Sequence, residues 1–216
     1  MEDIYKAPAA DVTPDRFVQL PDAFVSGDLS AGKLRAAAVV ALLMGVISAP
    51  YMVASFIPSI LNDPVLSLIL DGVMVLMTMG TIWLLLVLRQ FMALRFNQHN
   101  LHGLVLAMIG LNLVIAVAGF LTSQWENSPG TPLWVAMAVM FLALVPYGVC
   151  QVVLGRRVLV HQGYNGLATY AWATPITGGM TAVLVTLTIA IVSAIVAQIA
   201  MAVVFFHGAS ELRENH

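Results

Sequence analysis

An aspartate inside an apolar stretch is the residue of this sequence most able to do chemistry. Asp71 lies in SLILDGVMVLMTMG, residues 67–80, where nearly every other side chain favours hydrocarbon over water. Because an ionised carboxylate that faces lipid is strongly unfavourable, this side chain should point toward other helices. There it can bind a cation, carry a proton, or accept hydrogen bonds that hold helices together.

Helix geometry suggests partners for Asp71. Counted inward from the same membrane boundary at ~1.5 Å per residue, Tyr51 and Gln198 reach a depth similar to that of Asp71. We therefore hypothesise a hydrogen-bonded cluster of Tyr51, Asp71 and Gln198. Thr78 and Asn112 are expected to make interhelical polar contacts, because an uncompensated polar group in hydrocarbon is costly. The apolar runs contain no opposing Lys, Arg or second acid, which favours a structural role for Asp71 over a coupling role.

Other residue types offer weaker chemistry. His99 and His102 have the spacing of a metal pair on one helix face, but no third ligand is adjacent in the sequence. Met74, Met77 and Met79 do not share one helix face, and methionine commonly fills gaps between helices. No Ser-His-Asp order, phosphate loop or paired carboxylates occur. The sequence therefore predicts no catalytic residues, no metal, no cofactor and no enzymatic activity.

The elements that must position these residues follow from composition. The chain has 216 residues, of which 60% are hydrophobic and 9% charged, and its mean hydropathy is +0.93. A soluble domain carries roughly 25% charged residues, so this surface is built for the lipid bilayer. No basic patch of the type that binds nucleic acid is present.

The apolar runs predict an all-α membrane protein, a bundle of five transmembrane helices, with six as the alternative. The predicted spans cover residues 34–57, 65–88, 103–121, 133–154 and 180–206. We expect residues 1–33 to form a polar, mostly extended cytoplasmic leader, residues 34–207 the bundle, and residues 208–216 a short polar tail. The sequence NDP at 62–64 predicts a capped start for the second span, with Pro64 in the first turn.

Small residues recur every four positions along two predicted spans, a pattern that favours close helix packing. In the first span they are Ala37, Ala41, Gly45 and Ala49. Near the C-terminus they are Gly178, Ala182, Thr186, Ala190 and Ala194, followed by Gln198. A hairpin would interrupt the second stripe, so we favour one fifth span preceded by an interfacial segment at 158–173. These faces predict a tightly packed monomer, a homodimer or a subunit of a larger membrane complex.

Basic residues predict the orientation. Eight of the nine Lys and Arg residues fall on one side of the predicted bundle. Since positive residues concentrate in cytoplasmic loops, the N-terminus is expected in the cytoplasm. Arg213, the ninth, would lie on the non-cytoplasmic side of the membrane with five spans and on the cytoplasmic side with six.

Two terminal segments carry a family resemblance. DIYKAPAADV, residues 3–12, resembles the N-P-Y-x-A-P-x-A leader of many small, uncharacterised multi-pass inner-membrane proteins of proteobacteria, with Asp3 and Ile4 in place of Asn-Pro. The ending AMAVVFFHGASELRE, residues 200–214, is similar to their last apolar span and charged tail. The resemblance implies a bacterial inner-membrane protein and implies no site residues.

Together these features favour a non-catalytic inner-membrane protein that acts as a small subunit, scaffold or accessory through helix packing. The alternative is a small transporter or channel that uses Asp71 as a proton- or cation-coupling residue. The two hypotheses differ in one expectation: a transporter or channel should carry polar residues continuously through both halves of the bilayer. In the cytoplasmic half of the predicted bundle, the sequence offers little beyond Tyr147 and Gln151 for such a pathway.

Overall fold

A computed structural model of the protein describes most of the chain. The described residues are 20–55, 57, 63–125, 132–161, 163–183 and 187–214. Within these ranges the side chains at 52, 125, 181–183 and 187–191 are excluded from the description.

The described chain folds into seven α-helices and contains no strand. The helices are α1 (Asp22–Val25), α2 (Ala31–Ala54), α3 (Pro64–Phe96), α4 (His102–Trp125), α5 (Leu133–Leu159), α6 (Leu167–Val183) and α7 (Leu187–Glu214). Five of them, α2, α3, α4, α5 and α7, are long and apolar enough to cross a membrane. The prediction of an all-α bundle with five long apolar helices is thus confirmed.

The start of α3 is built as the sequence predicts. The Asp63 side chain accepts hydrogen bonds from the backbone N–H groups of Val65 and Leu66, at 2.9 and 3.1 Å. Pro64 takes the first turn, where its missing N–H costs no helical hydrogen bond. The helix ends 33 residues later at Asn97, which adopts the left-handed conformation with φ 56°.

The six long helices form a ring. Around it, α2 packs on α7, α7 on α6, α6 on α5 and α5 on α4, and α3 closes the ring between α4 and α2. Glycines permit the closest approaches: Gly178 of α6 lies against the backbone of Gly148, and Gly155 of α5 lies against Pro175. Helix α3 packs more loosely than the others over its first half, because between Pro64 and Leu84 its only buried side chain is Asp71.

The C-terminal part of the chain differs from the predicted single fifth span at 180–206. It forms two helices instead, α6 and α7, which run antiparallel: Gly166 lies against Ala200 and Val203, and Thr177 bonds Ser193. The predicted interfacial segment at 158–173 is also wrong, because α5 continues to Leu159 and α6 begins at Leu167 inside the bundle. Helix α6 has only 17 residues, and it falls at the short end of the range that can span a bilayer.

The proposed stripe of small residues is consequently divided between two helices. Gly178 packs on α5, whereas Ala194 lies on α7 and lines a cavity at the bundle centre. The side chains of Ala182 and Ala190, and residue Thr186 as a whole, lie outside the described residues.

The stripe on α2 is a packing face over most of its length. Ala37 and Ala41 are fully buried, and Gly45 lies against Gln198 and Ile199 of α7. Ala49, which belongs to the same predicted stripe, is exposed.

Both ends of the described chain meet at one end of the bundle, which we call the basic end. Gly208 of α7 packs against Leu34, at the start of α2, and against Phe91 of α3. All seven described Lys and Arg residues, including Arg213, belong to helix ends located there. Of the two alternatives, Arg213 thus lies where six spans would place it, at the same end as the other basic residues. The opposite end of the bundle is here called the distal end.

The described parts of the two predicted terminal segments contain helices that pack on the bundle. In the tail predicted for 208–216, α7 continues to Glu214 and buries Ala209 and Leu212. In the leader predicted for 1–33, residues 1–19 lie outside the described residues. The remainder carries α1, whose Phe24 is fully buried against Phe91 with ring centroids 5.8 Å apart.

Candidate binding groove and central cavity

Asp71 is a buried carboxylate held by two neutral donors from α4. Ser123 Oγ donates to Asp71 Oδ1 at 3.1 Å, and Gln124 Nε2 donates to Oδ2 at 3.1 Å. The residue is 9% exposed. These donors come from the last turn of α4 because α3 and α4 run antiparallel, which brings the distal ends of both helices together. The contacts orient the carboxylate but leave its charge unneutralised.

Asp71 lines a groove of about 460 Å³ in the distal half of the bundle. The groove lies between α2, α3, α4 and α5, and it forms because the distal half of α3 packs loosely. Its polar lining residues are Tyr51, Ser55, Ser67, Asp71, Thr78, Asn112 and Ser123. The hydroxyls of Ser55, Ser67 and Ser123 lie near helix ends at the distal end of the bundle, so the groove runs from that end toward the middle of the bundle.

Of the predicted cluster, the structure brings Tyr51 and Asp71 to this groove and places Gln198 elsewhere. Gln198 lies on α7 opposite Gly45, which is ~9 Å deeper along α2 than Tyr51 at the usual helical rise. The predicted interhelical residues Thr78 and Asn112 both line the groove, although the Thr78 hydroxyl also donates to the Met74 carbonyl at 2.9 Å.

Gln198 lines a second, smaller space, which we call the central cavity. It has a volume of about 70 Å³ and lies at the middle of the ring. Its polar lining residues are Thr81, Tyr147, Gln151, Tyr170, Thr174, Thr177 and Gln198. Among the described residues, the buried Oε1 atoms of Gln151 and Gln198 have no hydrogen-bond partner.

A pair of side chains connects the groove to the central cavity. Asn112 lines the groove and Tyr147 lines the cavity. The Tyr147 hydroxyl lies within hydrogen-bonding reach of both Asn112 and Gln151. Polar groups therefore continue from Asp71 past the middle of the bundle.

Toward the basic end of the bundle, the polar route stops at an apolar core. Fully buried side chains from five helices fill that end, namely Leu34, Leu84, Leu88, Phe91, Leu154, Val158, Leu167 and Phe205. Beyond them Arg95 and Glu211 form a bidentate ion pair, with both N–O distances 3.1 Å. Tyr164 donates to the same carboxylate at 3.0 Å, which ties α3, α7 and the α5–α6 connection together.

Aromatic rings surround this ion pair. The Arg95 guanidinium carbon lies 5.5 Å from the Phe96 ring centroid and 5.8 Å from that of Tyr164. Burial raises the pKa of the Tyr164 phenol well above its ordinary value of 10.0, and the Glu211 carboxylate raises it further. The phenol is thus kept as a hydrogen-bond donor.

His161 packs against the same cluster. Its ring stacks on Phe96 with centroids 4.4 Å apart, and its buried Nε2 has no hydrogen-bond partner among the described residues. Burial lowers the pKa of the His161 imidazole from its ordinary value of 6.5, because a charged ring would be poorly solvated there.

In the sequence-predicted metal pair, the His99 and His102 rings each lie beside a different residue. His102 Nδ1 lies 2.8 Å from Arg89 Nη1, and His99 Nε2 lies 3.0 Å from Asn97 Oδ1. The part of the chain that the structure describes contains no group of three or more His, Cys, Asp or Glu side chains placed to hold a metal.

Sequence reasoning did not associate Ser123 and Gln124 with Asp71. They stand in TSQWENSPGT, residues 122–131, which reads as a connecting loop, but α4 extends through them to Trp125. An antiparallel register between the second and third spans would have placed them level with Asp71.

No protein-family model, curated protein or solved structure matches this chain. Its class therefore rests on the helices themselves. Five helices long and apolar enough to cross a bilayer make it an all-α integral membrane protein.

Proposed function

We propose that this protein is a small transporter or channel of the bacterial inner membrane. It admits a monovalent cation or a proton from the non-cytoplasmic side, and Asp71 is the coupling carboxylate. The observation that carries the proposal is the polar route from the Asp71 groove to the central cavity. An accessory protein that only packs against partners has no need of such a route.

The charge arrangement supports a cation as the solute. Asp71 is held by a hydroxyl and an amide, neither of which neutralises it. All the described Lys and Arg residues belong to the opposite end of the bundle. A cation that enters the groove therefore meets a carboxylate whose charge it can balance, in a setting of low dielectric where the attraction is strong.

The distribution of basic residues also supports the orientation. Positive residues concentrate on the cytoplasmic side of membrane proteins, so the basic end lies in the cytoplasm and the groove faces outward. The apolar core and the Arg95–Glu211 pair then form the closed inner side. The resemblance of the terminal segments to inner-membrane proteins of proteobacteria agrees with this setting.

The test is ion flux in proteoliposomes that carry an internal Na⁺- or pH-sensitive dye. Under an imposed membrane potential, wild-type vesicles should move Na⁺ or protons faster than protein-free vesicles. Asp71→Asn should reduce this flux roughly tenfold or more, since it removes the charge and retains an oxygen acceptor for Ser123. Asp63→Asn is the matched control, because Asn caps a helix as well as Asp does.

Two results would contradict the proposal. One is flux of Na⁺ and protons no faster than in protein-free vesicles. The other is an Asp71→Asn variant that conducts like the wild type.

A non-catalytic subunit or scaffold is the second candidate. It is favoured by the distal half of α3, where Val65, Leu68 and Leu76 are 65%, 70% and 70% exposed. Such a face can receive a partner helix from a second copy or from a larger membrane complex. Purification of the tagged protein in mild detergent at native expression level tests this candidate: stoichiometric companion subunits support it, and a bare monomer opposes it.

A further inference from the structure

The central cavity presents buried oxygen acceptors that lack a donor. Gln151 Oε1 and Gln198 Oε1 both line it and have no hydrogen-bond partner among the described residues. The contact between Gln151 and the Tyr147 hydroxyl is therefore made by the amide nitrogen of Gln151. The Thr174 hydroxyl donates to the Tyr170 carbonyl at 2.7 Å, so it offers the cavity only its oxygen. A buried acceptor without a partner is unfavourable, because it has lost its hydrogen bonds to water, so the cavity should hold a species that satisfies these oxygens.

The lining resembles the coordination shell of a hard cation. Hard cations bind oxygen ligands in proteins, and the amide oxygens of Asn and Gln are among these ligands. The oxygens of Gln151, Thr174 and Gln198 come from three helices, α5, α6 and α7, and converge on one space. A volume of about 70 Å³ accommodates an ion of the size of Na⁺ together with water.

A monovalent ion fits the charge of the site better than a divalent one. Among the described residues, those that line the central cavity include no carboxylate. Neutral oxygens can replace the weakly held hydration shell of a monovalent ion, as rings of backbone carbonyls do in K⁺ channels. A divalent ion is held by carboxylates in most protein sites.

We propose that the central cavity binds one partly dehydrated monovalent cation, with the amide oxygens of Gln151 and Gln198 as ligands. The ion arrives through the Asp71 groove past Asn112 and Tyr147, and this part of the proposal rests on the proposed function. Binding itself does not depend on transport.

The experiment is thermal unfolding of the purified full chain in detergent. The protein is titrated with NaCl, KCl or choline chloride at constant ionic strength. Na⁺ or K⁺ should raise the melting temperature along a saturating curve, by roughly 5–10 °C at 100 times the dissociation constant. Choline, which is too large for the cavity, should have no such effect.

Variants locate the effect. Gln151→Met and Gln198→Met, which keep length and remove the oxygen, should each abolish the cation-dependent shift. Gln98→Met is the matched control, because Gln98 Oε1 is also buried and unpartnered among the described residues but lies at the basic end, outside the cavity. This variant should retain the shift.

Identical melting curves in Na⁺, K⁺ and choline would overturn the proposal and leave the cavity as a water site. The wild-type comparison decides this even where a variant fails to fold. Failure of the proposed function is distinguishable: a saturable cation shift without flux keeps the site and removes transport. Flux without a cation-specific shift keeps transport and removes the cation site in the central cavity.

Discussion

At the scale of single residues, the proposed function depends on Asp71 and its donors. The expectation that this carboxylate faces other helices could be derived from hydropathy alone, since lipid exposure is so unfavourable. The expectation that Asp71 lies near Tyr51 follows from counting residues inward from the membrane boundary along two helices. Gln198 was misassigned because depth does not specify a position around the ring, and Gln198 projects from α7 toward the central cavity.

The chemistry of His161 leads to a prediction about pH. Its pKa is lowered in the folded protein, so the neutral ring is favoured there. The associated stability is fully present above the unfolded value of 6.5 and is lost as the pH falls below it. His161→Phe keeps the stack on Phe96 and removes the titrating group.

Thermal unfolding between pH 4.5 and 7.5 checks this prediction. Below pH 6.5 the wild type should lose stability more steeply than His161→Phe, since only the wild type must protonate a partly buried ring. The other histidines are common to both proteins, so their contribution cancels in the comparison. Parallel curves for the two proteins would show that burial of His161 does not influence the fold.

At the scale of elements, the four long apolar runs predict their helices, whereas the shorter helix α6 is not predicted as a helix of its own. Four predicted spans match α2 to α5 within a few residues at their starts, because about 20 apolar residues are needed to cross a bilayer. Helix α6 was missed because its 17 residues contain Pro175 and the pair Gly178–Gly179, which suggested a turn. In the structure these small residues serve packing instead.

Gly178 offers a sharp test of the α5–α6 contact. A methyl group at this position would collide with the backbone of Gly148, whereas one at Gly179 would meet nothing within 4 Å. Gly178→Ala should therefore destabilise the protein by about 1–3 kcal/mol, the usual cost of overpacking. Gly179→Ala should be neutral or slightly stabilising, since alanine favours helix.

Unfolding of both variants in the same detergent measures the difference. Equal stability of Gly178→Ala and Gly179→Ala would mean that α6 does not pack closely on α5. It would also favour the original expectation of a segment at the membrane surface.

At the scale of the whole molecule, the ring has one loosely packed distal half and one densely packed basic half. The polar route enters the first and stops at the second, where the apolar core and the Arg95–Glu211 pair close the bundle. Hydropathy could not predict this asymmetry, because both halves of each helix are apolar. It arises from the order of helices around the ring and from the small residues that bring α5, α6 and α7 close together.

The proposed function requires that water and ions reach the middle of the bundle from the distal side. Asn112 and Leu113 are neighbours on α4, but Asn112 lines the groove while Leu113 is 46% exposed on the outer surface of the bundle. For the test, Asn112→Cys and Leu113→Cys are made separately in a Cys150→Ser background, because Cys150→Ser removes the only native thiol.

The deciding measurement is the rate at which a hydrophilic, membrane-impermeant thiol reagent labels each variant in intact spheroplasts. Asn112→Cys should react roughly tenfold faster or more, because a thiolate forms only where water reaches the sulfur. Leu113→Cys, which faces lipid, should stay unlabelled. Equal and negligible labelling at both positions would contradict the account.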